Sequence, residues 1–186
     1  MPRWTRSFLV IGGFAAITFS LLVASAGASP KLNSFAGSCS VQGTVDFSPP
    51  VTNTTQALVV VYDATGSCSG TLNGSRVSNA PVTLHHSGNS EGSCLSAQTT
   101  GPGQGAIEFA DGTVVPYSFT FQALGTEVLF SLSGQRSGSA QGHGTFLTAR
   151  TPPDAGLQCA GAGAAQLPMD MTIDTSSPLV SKKGNR

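Results

Sequence analysis

The chain reads as an all-β protein, an antiparallel sandwich or barrel of about eight or nine short strands held by two disulfides. Three observations predict it. Apolar residues recur at a spacing of two in window after window, the alternation of a half-buried strand. Gly, Ser or Thr interrupts nearly every stretch long enough to make a helix. The four cysteines lack C-x-x-C spacing, so they read as a covalent framework rather than a zinc ribbon or thioredoxin-type site.

The amino terminus stands apart from this pattern. Arg3 and Arg6 precede Ser7–Ala24, which contains no ionisable group. Two small-x-small sites come next, Ala24-Ser25-Ala26 and Ala26-Gly27-Ala28, as signal peptidase requires. Residues 1–28 are therefore expected to be a secretory signal peptide cleaved after Ala28. The alternative is a retained membrane anchor. That stretch falls short of the ~20 apolar residues a spanning helix needs, and Gly12-Gly13 weakens it further. Secretion, or residence in the cell envelope, is the expected localisation.

The strands are taken in chain order. Val41–Phe47 alternates apolar and polar. Ser48–Thr55, with Pro49 and Pro50, reads as a loop. Gln56–Tyr62 is a continuous apolar run, expected to be covered on both faces. Thr71-Leu72, Arg76-Val77 and Val82–His86 are shorter candidates. Gly105–Phe121 is the clearest hairpin. A three-residue Ala110-Asp111-Gly112 loop pairs Phe109 with Thr113 and Ile107 with Val115. It gathers Ile107, Phe109, Val115, Tyr117 and Phe119 on one face, with Gly112 at a G1-bulge position. A two-residue loop would instead set Glu108 on that face, and a one-residue slip inverts every side chain. Pro116, lacking an N–H, is expected to face an edge or a bulge. Glu127–Leu132, Gly144–Thr148 and Met169–Ile173 complete the domain, predicted to span residues 34–175. Ser176–Arg186, holding Lys182, Lys183 and Arg186, is expected to be a flexible tail.

The cysteines admit a geometric pairing. If Val41–Phe47 and Gln56–Tyr62 form a hairpin turning within Thr52–Thr55, Cys39 and Cys68 face each other across the pair. Cys94 is then left for Cys159. In an exported protein both pairs are expected to be oxidised.

Several segments resemble a group of small secreted actinobacterial β-proteins: Gly66–Leu72 (GSCSGTL), the glycine-rich lead Gly101–Gly105 into Phe109–Thr113 (FADGT), and Cys159–Gly163 (CAGAG). Such proteins place cysteine pairs around a similar glycine-rich hairpin, often with Trp where this chain has Phe109. The resemblance spans about Cys39 to Thr175 and implies export, disulfides and β architecture. It carries no site residue with it.

Composition narrows the function classes. Only 10% of residues are charged, with nine Lys and Arg against nine Asp and Glu, so no basic face can neutralise a row of phosphates. No nucleic-acid partner is expected, and the membrane is reached only through an uncleaved leader. Gly88–Gly92 (GNSEG) matches the G-x-S-x-G nucleophile elbow, which requires a helix after the serine. The residues after Ser90 carry no helical signal, so a polar loop is expected instead. His85 and His86 are adjacent and point to opposite faces of a strand. They cannot both ligate one metal, and an exposed or edge-strand position is expected for them. His143 could join one of them only through the fold. The carboxylates Asp46, Asp63, Glu91, Glu108, Asp111, Glu127, Asp154, Asp170 and Asp174 would support glycoside hydrolysis only if two faced each other across a cleft. The expectation is thus an exported, non-catalytic binding module for an unknown extracellular partner or small ligand. No cofactor, metal or catalytic residue is assigned. The alternatives are a secreted hydrolase with paired carboxylates, or a small-ligand carrier.

Overall fold

A computed structural model describes residues 32–94, 98–147 and 161–182. The expected leader lies outside them. Eight strands succeed one another: β1 (Leu32–Val51), β2 (Gln56–Leu72), β3 (Ser75–Gly92), β4 (Gln98–Phe109), β5 (Val114–Leu124), β6 (Glu127–Gly134), β7 (Ser137–Phe146) and β8 (Ala164–Lys182). Each pairs antiparallel with its successor, and β8 returns to β1, closing a barrel. Of the two architectures expected, the barrel is the one formed. Closure leaves no sheet edge.

The strands are longer than expected, reaching 20 residues in β1. Register shifts let them bend around the barrel. β1 shifts against β8 between Phe35 and Ser38 and again between Asp46 and Val51, and β2 shifts against β3 between Cys68 and Gly70. An extra residue in one strand bends it and raises its twist, as barrel closure requires. The Ser48–Val51 segment, expected as loop, therefore continues β1. Thr52–Thr55 turns the chain into β2, as the cysteine pairing required.

One face of every strand points inward and is mostly apolar, with Asn33, His86, Ser90 and Ser181 as its buried polar residues. Ile107, Phe109, Val115, Tyr117 and Phe119 are all buried. Ile107 pairs with Val115, Phe109 N–H donates to Thr113 O, and Gly112 has φ of 82°, so the three-residue hairpin loop is the one used. Pro116 lies beyond the point where β5 and β6 begin to pair at Tyr117 and Gly134, so no ladder on that side is interrupted. β2 corrects one expectation. Its apolar run is not covered on both faces: Leu58 and Tyr62 point in, while Val59 is 44% exposed. A single-layer barrel has nothing outside it to bury the second face.

The other correction is at the carboxy terminus. Ser176–Lys182 belongs to β8 rather than to a tail. Leu179 pairs with Phe35 and is fully buried. Outward positions carry Thr83, His85, Ser118, Thr120, Ser131 and Asp174, with the apolar set inside, the reverse of the lipid-facing pattern of transmembrane barrels.

Cys39 and Cys68 sit directly opposite each other on β1 and β2 and form a disulfide inside the barrel, with Cα atoms 4.0 Å apart. Cys94 is also disulfide-bonded. Its expected partner, Cys159, lies outside the described residues.

Candidate functional site: an apolar cavity behind one rim

The barrel has two unlike ends. One bears the turns β2–β3, β4–β5 and β6–β7 and is filled by Phe35, Leu72, Val82, Ile107, Phe109 and Leu179. The other bears the β1–β2, β3–β4, β5–β6 and β7–β8 connections. Behind it lies a cavity of about 320 Å³, at the small end of the range for small-molecule sites.

The local sequence explains the space. Along the inner face of β4, Gly101, Gly103 and Gly105 stand directly opposite Phe121, Phe119 and Tyr117 of β5. A Cβ on Gly103 would run into the Phe119 ring, and one on Gly105 would meet the rings of His86 and Tyr117. The missing side chains let the aromatic rings lie across the neighbouring strand. On β7, Gly142 and Gly144 likewise make room for Phe130, Met169 and Met171. The inner face of β3 changes in the same way, from Val82 and Leu84 to His86, Gly88, Ser90 and Gly92.

Phe47, Phe121, Phe130, Phe146 and Leu167 supply much of the apolar wall, with Val51, Leu58 and Ala164 clustered at the rim. His86 is the floor. Its ring lies 4.5 Å from that of Phe119, between centroids, and edge-on to Tyr117 at 5.5 Å. Nε2 is 2.5 Å from the Tyr117 hydroxyl. The Tyr62 hydroxyl donates to Met169 O at 3.1 Å.

Burial, helped by neighbouring His85, pushes the His86 pKa down to about 3. Burial also raises both tyrosines above the ordinary phenol range, with Asp170 adding to the effect on Tyr62 and Tyr62 to that on Tyr117. The floor is therefore neutral at physiological pH. If Tyr117 O–H donates to Nε2, one bond satisfies both groups and leaves Nδ1–H as a donor. The reverse tautomer would orphan the phenol hydrogen as well, so the first arrangement is favoured.

Two residues of this wall, His86 and Ser90, each bury a polar atom, Nδ1 and Oγ, with no hydrogen-bond partner among the described residues; away from the cavity Asp170 Oδ1 and Ser181 Oγ are in the same position. No Asp, Glu, Lys or Arg lines the cavity among those residues.

The structure separates the residues that the sequence had singled out. Ser90 sits within strand β3, not on an elbow before a helix and not in a loop. His85 and His86 do take opposite faces. His85 Nδ1 meets Asp63 Oδ1 at 2.5 Å outside the barrel, while His86 is inside and buried, against the expectation of an exposed or edge position. His143 joins neither of them; its Nε2 is 2.6 Å from Glu127 Oε2. Asp46 accepts from Gln166, and Asp111 accepts from Thr113 N–H in the hairpin turn. Asp154 lies outside the described residues. Among the described residues no three His, Cys, Asp or Glu side chains gather as a metal site.

The burial of His86 is what sequence reasoning missed, although a signal for it existed. Val82 and Leu84 set the inward parity of β3, and His86 shares it.

Fold and site together define a closed up-and-down β-barrel with an internal cavity that no Asp, Glu, Lys or Arg lines among the described residues. Comparison with protein-family models, with curated proteins and with solved structures finds no match for this chain.

Proposed function

We propose that this chain is an exported carrier that binds one small, largely apolar ligand inside the barrel. The observation that supports it is the cavity: apolar walls, no charged lining, and buried polar atoms left without partners among the described residues. A core built only for stability would fill that volume, because unfilled space forfeits packing contacts. Eight-stranded barrels are wide enough to hold a single small ligand. Export is supported by the Cys39–Cys68 disulfide, which persists in oxidising compartments, and by the leader-like amino terminus.

The test is thermal unfolding of the purified protein with a panel of small hydrophobic compounds. A ligand at about 100 times its Kd adds about 2.7 kcal/mol, several degrees in Tm. Ala123 lines the cavity, and Ala123→Trp is expected to abolish the shift while the barrel still folds. Stabilisation that survives in the Trp variant, or none with any compound, overturns the reading.

A further inference from the structure

The chemistry of the cavity wall narrows what the carrier takes, provided the carrier reading itself holds. We infer that its ligand is uncharged: an apolar, ring-containing body bearing a hydroxyl or carbonyl oxygen that hydrogen-bonds to His86 or to Ser90.

Three features carry this. First, no ionised side chain lines the site among the described residues. A carboxylate or ammonium entering it would lose its hydration with no counter-charge in return, a loss large enough to prevent binding. Second, the deep wall is aromatic. Phe119, Phe121 and Phe130 have centroids 5.7 to 6.3 Å apart, the spacing at which rings pack edge-to-face or tilted. A planar ring extends such a cluster better than a flexible chain.

Third, His86 Nδ1 and Ser90 Oγ lack partners among the described residues, and both residues are more than nine-tenths buried. A buried polar group without a partner is unfavourable, and a ligand that completes it recovers the difference. Nδ1–H offers a donor, and the serine hydroxyl can turn to donate or accept. Their two requirements meet in a ligand oxygen that is neutral and able to accept. The two residues share the inner face of β3 four positions apart, on the order of 13 Å along the strand. A short ligand reaches one of them, whereas an elongated one with oxygen at both ends reaches both.

Naphthalene fluorescence titrations of the whole secreted domain provide the test. The probes are 2-naphthol, 2-methylnaphthalene and 2-naphthoate at neutral pH, which share a ring system and differ in the one substituent. The naphthol is expected to bind about tenfold tighter than the methyl compound, one hydrogen bond's worth, and the naphthoate more weakly than either. Naphthol has one hydroxyl and reaches one of the two residues. One of Ser90→Ala and His86→Phe should therefore remove the naphthol preference and the other should keep it, with methylnaphthalene affinity nearly unchanged in both. A preference that survives in both variants overturns the inference. A merely structural role would move both probes together. If His86→Phe fails to fold, the wild-type ranking of the three probes decides the inference, and Ser90→Ala assigns the bond to Ser90 where the preference is lost and to His86 where it is kept. Equal binding of naphthol and methylnaphthalene, or naphthoate binding as tightly as naphthol, overturns this inference while leaving the carrier standing. Failure of all three probes, together with failure of the wider compound panel, removes the carrier.

Discussion

The two halves of the barrel share the same strands, the same alternation and the same disulfide-bonded chain, yet one is packed and the other holds a cavity. On β3 the inward residues run Val82, Leu84, then His86, Gly88, Ser90; on β4 they run Phe109, Ile107, then Gly105, Gly103, Gly101. The change falls at the same level on adjacent strands, since Leu84 pairs with Ile107 and His86 with Gly105. On these two strands the inner face is filled below that level; above it, volume has been removed and His86 and Ser90 introduced. Stability and recognition are thus divided along the barrel axis rather than between domains.

The largest effects should come from the packed half. Ile107 is fully buried, and Ile107→Ala removes methylene groups from an interior with no room to collapse. It should destabilise the protein by about 3–5 kcal/mol. Phe146→Ala, at the half-exposed wall of the cavity, should lower stability by less than about 2 kcal/mol and weaken ligand binding instead. Paired denaturant titrations measure both. Equal losses would erase the distinction between the two halves.

Cys39 and Cys68 brace the packed half. Their separation of 29 residues predicts that replacing both with Ala lowers stability by about 3–4 kcal/mol through the freed unfolded chain. The midpoint in denaturant should fall while the cavity still binds its probes. Loss of binding at temperatures where the variant remains folded would show that the brace also shapes the cavity.

The contrast between the halves also tracks what the sequence made legible. Register in the β4–β5 hairpin followed from Asp111-Gly112 and five apolar residues that had to share a face. The Cys39–Cys68 pair followed from the turn at Thr52–Thr55. Both features declare themselves through side chains. The upper half of β3, the front of β4 and most of β7 were missed because their inner faces are written in glycine, which carries no alternation to read. Ser176–Lys182 looked like a tail because Ser176, Ser177 and Pro178 hide the inward Leu179. The cavity itself is a sum of absences on several strands. It becomes visible only when closure brings those strands together.

The acid response sharpens the comparison further. His86 stays neutral in the folded barrel to about pH 3, whereas the unfolded chain protonates it near 6.5. Between those values the unfolded state binds the extra proton. Stability therefore rises with pH, and falls by up to about 1.4 kcal/mol per unit as pH drops from 6.5 toward 3. The titratable rings packed against it, Tyr62 and Tyr117, remain neutral throughout that window. Carboxylates contribute equally to wild type and His86→Phe, so the difference between the two isolates the histidine. Unfolding free energies measured from pH 7 to pH 4 should converge or cross as the pH falls. Parallel curves would mean that His86 is accessible to protons in the native barrel.

The smallest effect should come from Ser90, and its sign matters more than its size. In a residue retained for stability, removing a side-chain atom from the interior costs free energy. Ser90 Oγ is buried without a partner among the described residues, so the hydroxyl is itself unfavourable in the ligand-free protein, and its removal relieves a desolvation penalty of about 1–3 kcal/mol. The methyl group left by alanine keeps most of the apolar contact, and the small added void offsets part of the gain. Ser90→Ala should therefore be slightly more stable to denaturant, by about 1 kcal/mol or less, while losing preference for probes whose hydroxyl reaches Ser90. A stabilised variant that binds less selectively is the signature of a group kept for recognition at the expense of packing. A destabilised one would place Ser90 with Leu84 and Val82, as part of the filled interior, and would move the boundary between the two halves toward the rim.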